Sequence, residues 1–290
     1  MSSLLPFVVS GLANAGVYVL SGIGIVVLYR ASGVINLSQG ALGALAALIA
    51  WNIVESGGPS VFGWLLGLLL AAVLSVGYGR FVAPRLAYAD RMVQAIGTLA
   101  FALILMGAMN ILWGELPRRL RLPTDTTGID LFGIHLTYTR ILVFAVSIAV
   151  SLATYCFLRF TRVGLTMRAI ANDRDLSGLL GVKVRRADTL AWLMSGLLAG
   201  LSGLIFADLT RFSAQSLTFL VIPAVAAALF GRLTSLPLTV LGGVLIGVVE
   251  AVLTIAPVVA SFRSATAFVV ATVAILWVAR RPIHGLIIRP

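Results

Sequence analysis

Long apolar runs, separated by short polar segments, occupy most of the chain. An α-helix needs about 20 apolar residues to cross a bilayer, and the runs that meet or approach this length cover residues 4–29, 61–83, 93–113, 140–158, 189–208, 236–256 and 264–279. Two shorter runs, 41–54 and 217–230, would each span about 21 Å as a helix, against a hydrocarbon core of about 30 Å. The pattern predicts an all-α, polytopic transmembrane helix bundle with about eight or nine membrane elements, some of them short or broken.

The composition agrees with a membrane protein. Apolar residues make up 60% of the 290 residues and charged residues 11%, whereas a soluble domain is about 25% charged. A soluble chain of this length could not enclose so much apolar surface. The net charge of +11 comes from bases that lie between the apolar runs. Bases in these positions are the ones that set membrane orientation, so the charge does not point to a nucleic-acid partner.

The distribution of the bases predicts the orientation. Residues 159–188 hold seven bases against three acids and are therefore expected in the cytoplasm, as is the C-terminus with Arg280, Arg281 and Arg289. If all nine runs cross, the N-terminus lies outside, with 15 bases inside and six outside. If 41–54 only dips into the membrane, the N-terminus lies inside and Arg30 outside. In both arrangements the sizeable external loop is 114–139. This loop is either a solvated connector or a contact for a partner.

Recognised catalytic patterns are missing from the sequence. The histidines, His135 and His284, lie outside the apolar runs on opposite predicted sides, and there is no HExxH metal motif. There is also no GxxxxGK[ST] phosphate loop, so any nucleotide energy must come from another chain. The sequence therefore predicts neither an enzyme nor a metal site.

Glycine pairs at helical spacing predict close contacts between the membrane helices, since small residues let helix backbones approach in lipid. The pairs are Gly63 with Gly67, Gly196 with Gly200, and Gly243 with Gly247. Glu250 lies within the apolar run 236–256. Such a carboxylate is either hydrogen-bonded to a neighbouring helix or part of a polar pathway.

The segment 164–184 alternates apolar and charged residues between two predicted spans. Asp173 is placed to cap a short second helix and Gly181 to end it. The pattern predicts two short amphipathic helices under the membrane. They would form a docking surface for a soluble partner or, alternatively, lie on the lipid surface.

Several motifs resemble those of the permease subunits of branched-chain amino-acid ABC importers, the high-affinity leucine, isoleucine and valine type. GLTMRAIAND at 164–173, LLGV at 179–182 and GLLAGLSG at 196–203 follow that family's order of G-x-x-x-R-A, L-G and A-G-x-x-G. GVINLSQG at 33–40 is similar to its G-x-x-N-[FL]-[AS]-x-G, and Gly242, Gly243, Gly247 and Glu250 resemble its late glycine-rich helix. One departure is FGRLTSLP at 230–237, where the family more often has G-G-x-G-S.

The resemblance implies a single permease domain over residues 1–290, multi-pass in the bacterial plasma (inner) membrane. It implies four partners: a second homologous permease, two cytoplasmic ATPase subunits and an extracytoplasmic substrate-binding protein. The chain itself would bind no cofactor, since the partner subunits use the ATP. Branched-chain amino acids are the expected solutes, while relatives carry urea, amides or organic and aromatic acids. A passive channel is the alternative from another class.

Two sets of candidate site residues follow. The segment 159–188, named the coupling segment here, is expected to contact the ATPase through Gly164, Arg168, Ala169, Asp173 and Gly181. A contact of Arg168 with a lipid phosphate is the alternative for that residue.

The second set would line the translocation path, because transporters build their sites from paired discontinuous helices. Polar residues that could satisfy unwound backbone precede run 41–54, and Pro223 removes a helical hydrogen bond from run 217–230. The two runs are expected to face each other across the path, or else to be short tilted spans. The candidate path residues are Asn36, Ser38, Gln39, Gly40, Pro223 and Glu250.

Overall fold

The computed structural model describes residues 5–120, 128–131, 134–254 and 265–280. Helices dominate these ranges, which confirms the predicted all-α bundle. The helices are α1 (Leu5–Ser32), α2 (Gln39–Glu55), α3 (Ser60–Phe81), α4 (Arg91–Trp113), α5 (Tyr138–Phe160), α6 (Arg162–Asn172), α7 (Arg174–Leu179), α8 (Val184–Leu209), α9 (Ala214–Thr218), α10 (Val221–Phe230), α11 (Leu236–Leu253) and α12 (Thr266–Arg280), with a 3-10 turn at Ala83–Leu86.

Six helices of the described chain are long and apolar enough to cross a membrane; they lie within α1, α3, α4, α5, α8 and α11. Two shorter apolar elements, Gln39–Glu55 and Ala214–Phe230, correspond to the two short runs. The 15-residue α12 corresponds to the last run. The described ranges therefore contain the predicted eight or nine membrane elements.

The core of the bundle surrounds α1, α2 and α8, whose faces are largely buried. Each predicted glycine pair lies at a helix contact. Gly63 and Gly67 pack on Ala50 and Ala46 of α2, Gly196 and Gly200 on α3, and Gly243 and Gly247 on Val19 and Ala15 of α1. These pairings place α2 antiparallel to α3, and α1 antiparallel to α11. By contrast, α4 and α5 expose large apolar side chains such as Ile104, Ile111 and Leu152, as expected for helices against lipid.

The predicted external loop 114–139 contains a short hairpin. Strand β1 (Gly128–Leu131) pairs antiparallel with β2 (Ile134–Thr137). Before it, the backbone of Arg118 pairs with that of Phe212, beyond the end of α8. The loop is therefore attached to the α8–α9 connection. Residues 121–127, Arg281 and Arg289 lie outside the described ranges, so the external and cytoplasmic assignments stay predictions.

Candidate functional site

The coupling segment contains the two short helices that the sequence predicts, α6 and α7. Thr161 caps α6, its Oγ1 accepting a hydrogen bond from the Gly164 amide at 3.2 Å. Asp173 caps α7 in the same way, with Oδ1 accepting from the Leu176 amide at 2.9 Å. Both caps satisfy amides that a helix start leaves without partners. The caps fix where each helix begins.

Two glycines shape the ends of this segment. Gly181 follows α7 with φ +82°, a left-handed conformation that glycine adopts without a steric penalty. Gly164 lies inside the α5–α6 corner, where a Cβ atom would overlap the Leu158 carbonyl. The corner and the turn therefore both depend on the absence of a side chain.

Arg168 stabilises the α5–α6 corner by hydrogen bonds to the backbone of both helices. Its Nε donates to the Gly164 carbonyl at 3.3 Å and its Nη2 to the Arg159 carbonyl at 3.2 Å. On α7, Arg174 forms an ion pair and a bidentate hydrogen bond with Asp188 of α8, with an Nη1–Oδ1 distance of 3.2 Å. Both ends of the segment are thus connected to membrane helices, so a force on α7 would reach α8.

The outer face of the segment carries exposed leucines beside charged residues. Met167 and Ile170 of α6 are buried against the bundle, while Ala169 is exposed. Leu165, Leu176, Leu179 and Leu180 are also exposed, Leu179 by 86%. Exposed leucines on capped helices that are tied to the bundle form a surface that a partner or the lipid must cover.

The first candidate path residues form a buried polar cluster, defined here as Asn36, Ser38, Gln39 and Ser195. All four are shielded from solvent. Asn36 Oδ1 accepts from the Ser38 hydroxyl at 2.6 Å, and Asn36 Nδ2 donates to Gln39 Oε1 at 3.3 Å. Ser195 of α8 donates to Gln39 Oε1 at 2.9 Å and accepts from Asn36 Nδ2 at 3.2 Å. The cluster joins the α1–α2 connection to the middle of α8.

The α1–α2 connection lies deep in the bundle. Ser195 is eleven residues from the start of α8 at Val184, which is about 16 Å along the helix. Non-helical backbone at such depth must be satisfied by protein groups. Thr98 of α4 contributes, because its Oγ1 accepts from the Leu37 amide at 3.0 Å. Its single proton is shared between the Ala95 carbonyl of its own helix at 2.8 Å and the Ile35 carbonyl at 3.1 Å.

The second short run is broken, and its break contacts the first. The helix stops at Thr218 and resumes at Val221, because the ring of Pro223 interferes with the carbonyl four residues earlier, that of Phe219. Gly40 packs directly on the carbonyls of Leu217 and Thr218, leaving no room for a Cβ atom. The start of the continuous helix α2 and the break between α9 and α10 therefore meet inside the bundle. Their role in transport stays a prediction.

Glu250 connects two core helices. The Tyr18 hydroxyl of α1 donates a hydrogen bond to Glu250 Oε2 of α11 at 2.6 Å. Tyr18 is 5% exposed and Glu250 is half-buried. The sequence allowed two interpretations of Glu250, and this contact is the hydrogen bond to a neighbouring helix that the first one expects. A place of Glu250 in the translocation path stays a prediction.

Ser195 and Thr98 are polar partners that the sequence did not single out. Each is a lone hydroxyl in an apolar span, and such residues usually bond to their own helix. Their pairing depends on the relative register of helices far apart in sequence. No local spacing carries that information.

Comparison with known proteins shows the family of this chain. The family described as "Branched-chain amino acid transport system / permease component" matches residues 7–283. The chain is 27% identical over 259 residues to the high-affinity branched-chain amino acid transport system permease protein BraD of Pseudomonas aeruginosa, covering 84% of each chain. It is 25% identical over 260 residues to the permease protein LivH of Escherichia coli strain K12, covering 83% of each.

A sugar permease is similar as well. The ribose import permease protein RbsC of Escherichia coli strain K12 is 26% identical over 241 residues, which are 80% of this chain and 72% of that protein. The family match covers nearly the whole chain, including both the coupling segment and the polar cluster. The chain therefore belongs to the permease components of branched-chain amino acid transport systems.

Proposed function

We propose that this chain is the permease subunit of a binding-protein-dependent ABC importer and that its coupling segment docks on an ATPase subunit. The exposed leucines of α7 carry this proposal. They project from a segment that is capped at both helix starts and bound to α8 through Arg174 and Asp188. A solvent-exposed linker would need neither the exposed leucines nor the ion pair.

The substrate in this proposal is a branched-chain amino acid, as for BraD and LivH, which are similar over most of the chain. Ribose is the second candidate, because RbsC is nearly as similar in identity. In either case a second permease, two ATPase subunits and an extracytoplasmic binding protein complete the importer. The ATPase subunits use the ATP, and the permease moves the solute without covalent chemistry.

Uptake into proteoliposomes tests this function. The complete complex is reconstituted with its binding protein, and labelled leucine and labelled ribose are compared with and without ATP inside the cytoplasmic compartment. The proposal expects leucine uptake that requires ATP and little ribose uptake. ATP-independent flux of either solute would indicate a passive channel, and ATP-dependent ribose uptake alone would assign the chain to a sugar importer.

A further inference from the structure

A basic cavity of about 340 Å³ lies where α1, α5, α6 and the α10–α11 connection meet. Its lining includes Arg30, Arg159 and Arg168, together with Thr234 and Ser235. A second cavity of about 630 Å³ shares Arg30, Arg168 and Thr234. Three arginines from three different helices therefore converge at the predicted cytoplasmic end of the bundle.

No carboxylate lines the basic cavity, and its guanidinium groups have no acidic partner among the described residues. Arg30 makes no hydrogen bond or ion pair within that part of the chain. Arg168 bonds to backbone carbonyls, and Arg159 to the Tyr155 hydroxyl. Like charges held close together repel each other unless an anion compensates them. The cavity is thus a complementary site for a group such as phosphate, which arginine binds through paired hydrogen bonds.

An apolar groove of about 550 Å³ continues from the basic cavity into the membrane region. The two share Tyr155, Leu236 and Pro237. Above these residues the groove runs between α1, α5 and α11, and its walls are aliphatic, with Val19, Ile23, Leu152, Val240 and Val244 among them. A basic site that opens into an apolar groove matches a ligand with an anionic head and a hydrocarbon chain.

The backbone beside the cavity is also unusual. Arg232 and Leu233 have φ values of +54° and +58°, which are costly for residues with a side chain. These two residues precede Thr234, which lines both the basic cavity and the second cavity. Strained backbone of this kind is frequent where a protein holds a ligand.

We propose that the basic cavity and the apolar groove together bind one anionic glycerophospholipid from the leaflet on the predicted cytoplasmic side. Its phosphate lies among Arg30, Arg159 and Arg168, and one acyl chain occupies the groove between α1, α5 and α11. The lipid links the corner of the coupling segment to α1. This site requires only that the chain lies in a membrane, so it can be tested separately from the import function.

Lipid binding to the full-length chain tests the proposal. The purified protein is delipidated in detergent and titrated with phosphatidylglycerol, with phosphatidylcholine of the same chain length, and with glycerol 3-phosphate. Bound copies are counted by native mass spectrometry. We expect phosphatidylglycerol to bind more tightly than phosphatidylcholine. Arg30→Gln should weaken the binding of phosphatidylglycerol about fivefold. Arg80→Gln, at the end of α3 and outside both cavities, should leave this binding unchanged.

The groove is tested by filling it. Val244→Trp should weaken binding of the long-chain lipid, whereas Leu245→Trp, at an exposed position of the same helix that does not line the groove, should not. If Val244→Trp does not fold, dihexanoyl phosphatidylglycerol provides the same test on the unmodified chain, and it should bind more weakly than the dioleoyl lipid.

Several outcomes would overturn the proposal. Equal affinity for the two long-chain lipids, or equal effects of Arg30→Gln and Arg80→Gln, would show that the arginines do not select the headgroup. Glycerol 3-phosphate binding as tightly as the lipid would indicate a site for a free anion. Weaker association of Arg30→Gln with the ATPase, with unchanged lipid binding, would assign the arginines to an acidic protein partner.

Discussion

Gly181 determines the turn that returns the chain from α7 to α8. Its φ of +82° is a conformation that costs about 1–2 kcal/mol for a residue with a Cβ atom. The cost is larger for a β-branched side chain, which this region excludes almost completely. Because α7 has only six residues, its orientation depends on this turn together with the Asp173 cap and the Arg174–Asp188 ion pair.

The first prediction concerns this turn. Gly181→Val should displace the leucines of α7 and so reduce ATP-driven uptake about tenfold, while membrane insertion and basal ATP hydrolysis of the complex persist. Uptake and ATP hydrolysis are measured on the same proteoliposomes. Gly178→Val is the matched control, since Gly178 lies within α7 in open space. Uptake by Gly181→Val that equals the uptake of the unmodified complex would show that the turn does not matter for coupling.

The polar cluster fixes the α1–α2 connection through few atoms. Gln39 Oε1 accepts hydrogen bonds from both Asn36 and Ser195, and the side chain packs against Gly24 of α1. Removing this acceptor leaves the buried Ser195 hydroxyl without it, whereas Asn36 Nδ2 keeps its hydrogen bond to Ser195 Oγ. Each buried group left unsatisfied costs about 1–3 kcal/mol.

The second prediction is that Gln39→Leu lowers the free energy of unfolding by about 1–3 kcal/mol and impairs solute flux. Assembly with the ATPase should be unchanged in the folded fraction, because the cluster lies about 16 Å along α8 from its start. Thermal unfolding in detergent measures the loss of stability. Ser202→Ala is the control, as the Ser202 hydroxyl bonds only within its own helix, to the Ala199 carbonyl at 2.9 Å. A loss no greater than that of the control would contradict the role given to the cluster.

At the scale of elements, the connection between α10 and α11 is formed by the stretch in which this sequence departs from the family pattern. The family more often has glycines in this stretch, and here Arg232 and Leu233 occupy consecutive left-handed positions. Leu233 contributes packing, because it is half-buried against the hydrophobic core. Arg232 is exposed and has no such compensation.

The third prediction follows from this difference. Arg232→Gly should raise the free energy of unfolding by about 0.5–1 kcal/mol, since relief of the left-handed strain exceeds the entropy that glycine costs. Ala87→Gly, at an exposed position with φ −60°, should lower it by a similar amount. Chemical unfolding of both variants in the same detergent makes the comparison. Destabilisation of both to the same extent would argue against strain at Arg232.

The apolar pattern predicts the helices well because their length and hydrophobicity are local properties. Run 41–54 corresponds to Gln39–Glu55, whereas run 217–230 divides into α9 and α10. Asp173 and Gly181 were also predictable, since caps and turns depend on a few neighbouring residues. The β1–β2 hairpin was not, because strands of four residues carry too little alternation. The contact of Gly40 with Thr218 depends on how distant helices pack, which no local pattern records.

For the whole molecule, the bases of the coupling segment predict the orientation in the membrane. The fourth prediction uses two exposed sites, Leu179 in α7 and Glu115 after α4. In a chain whose Cys156 is replaced by Ser, Leu179→Cys should react with an impermeant maleimide only from the cytoplasmic side, and Glu115→Cys only from the outside. Labelling of right-side-out and inside-out vesicles decides between the two orientations. Reversed labelling would show that the bundle has the opposite orientation in the membrane.

The most direct test of the account is what the outer face of α7 touches in the assembled transporter. A photo-crosslinking residue at Leu179, which is 86% exposed, is activated in the complete complex in membranes, with a second at Glu115 as control. The account predicts that Leu179 crosslinks to the ATPase subunit, that the yield changes with ATP, and that Glu115 gives no such product. Crosslinks from Leu179 to lipid alone, with ATPase bound, would contradict the assignment of this segment as the coupling surface.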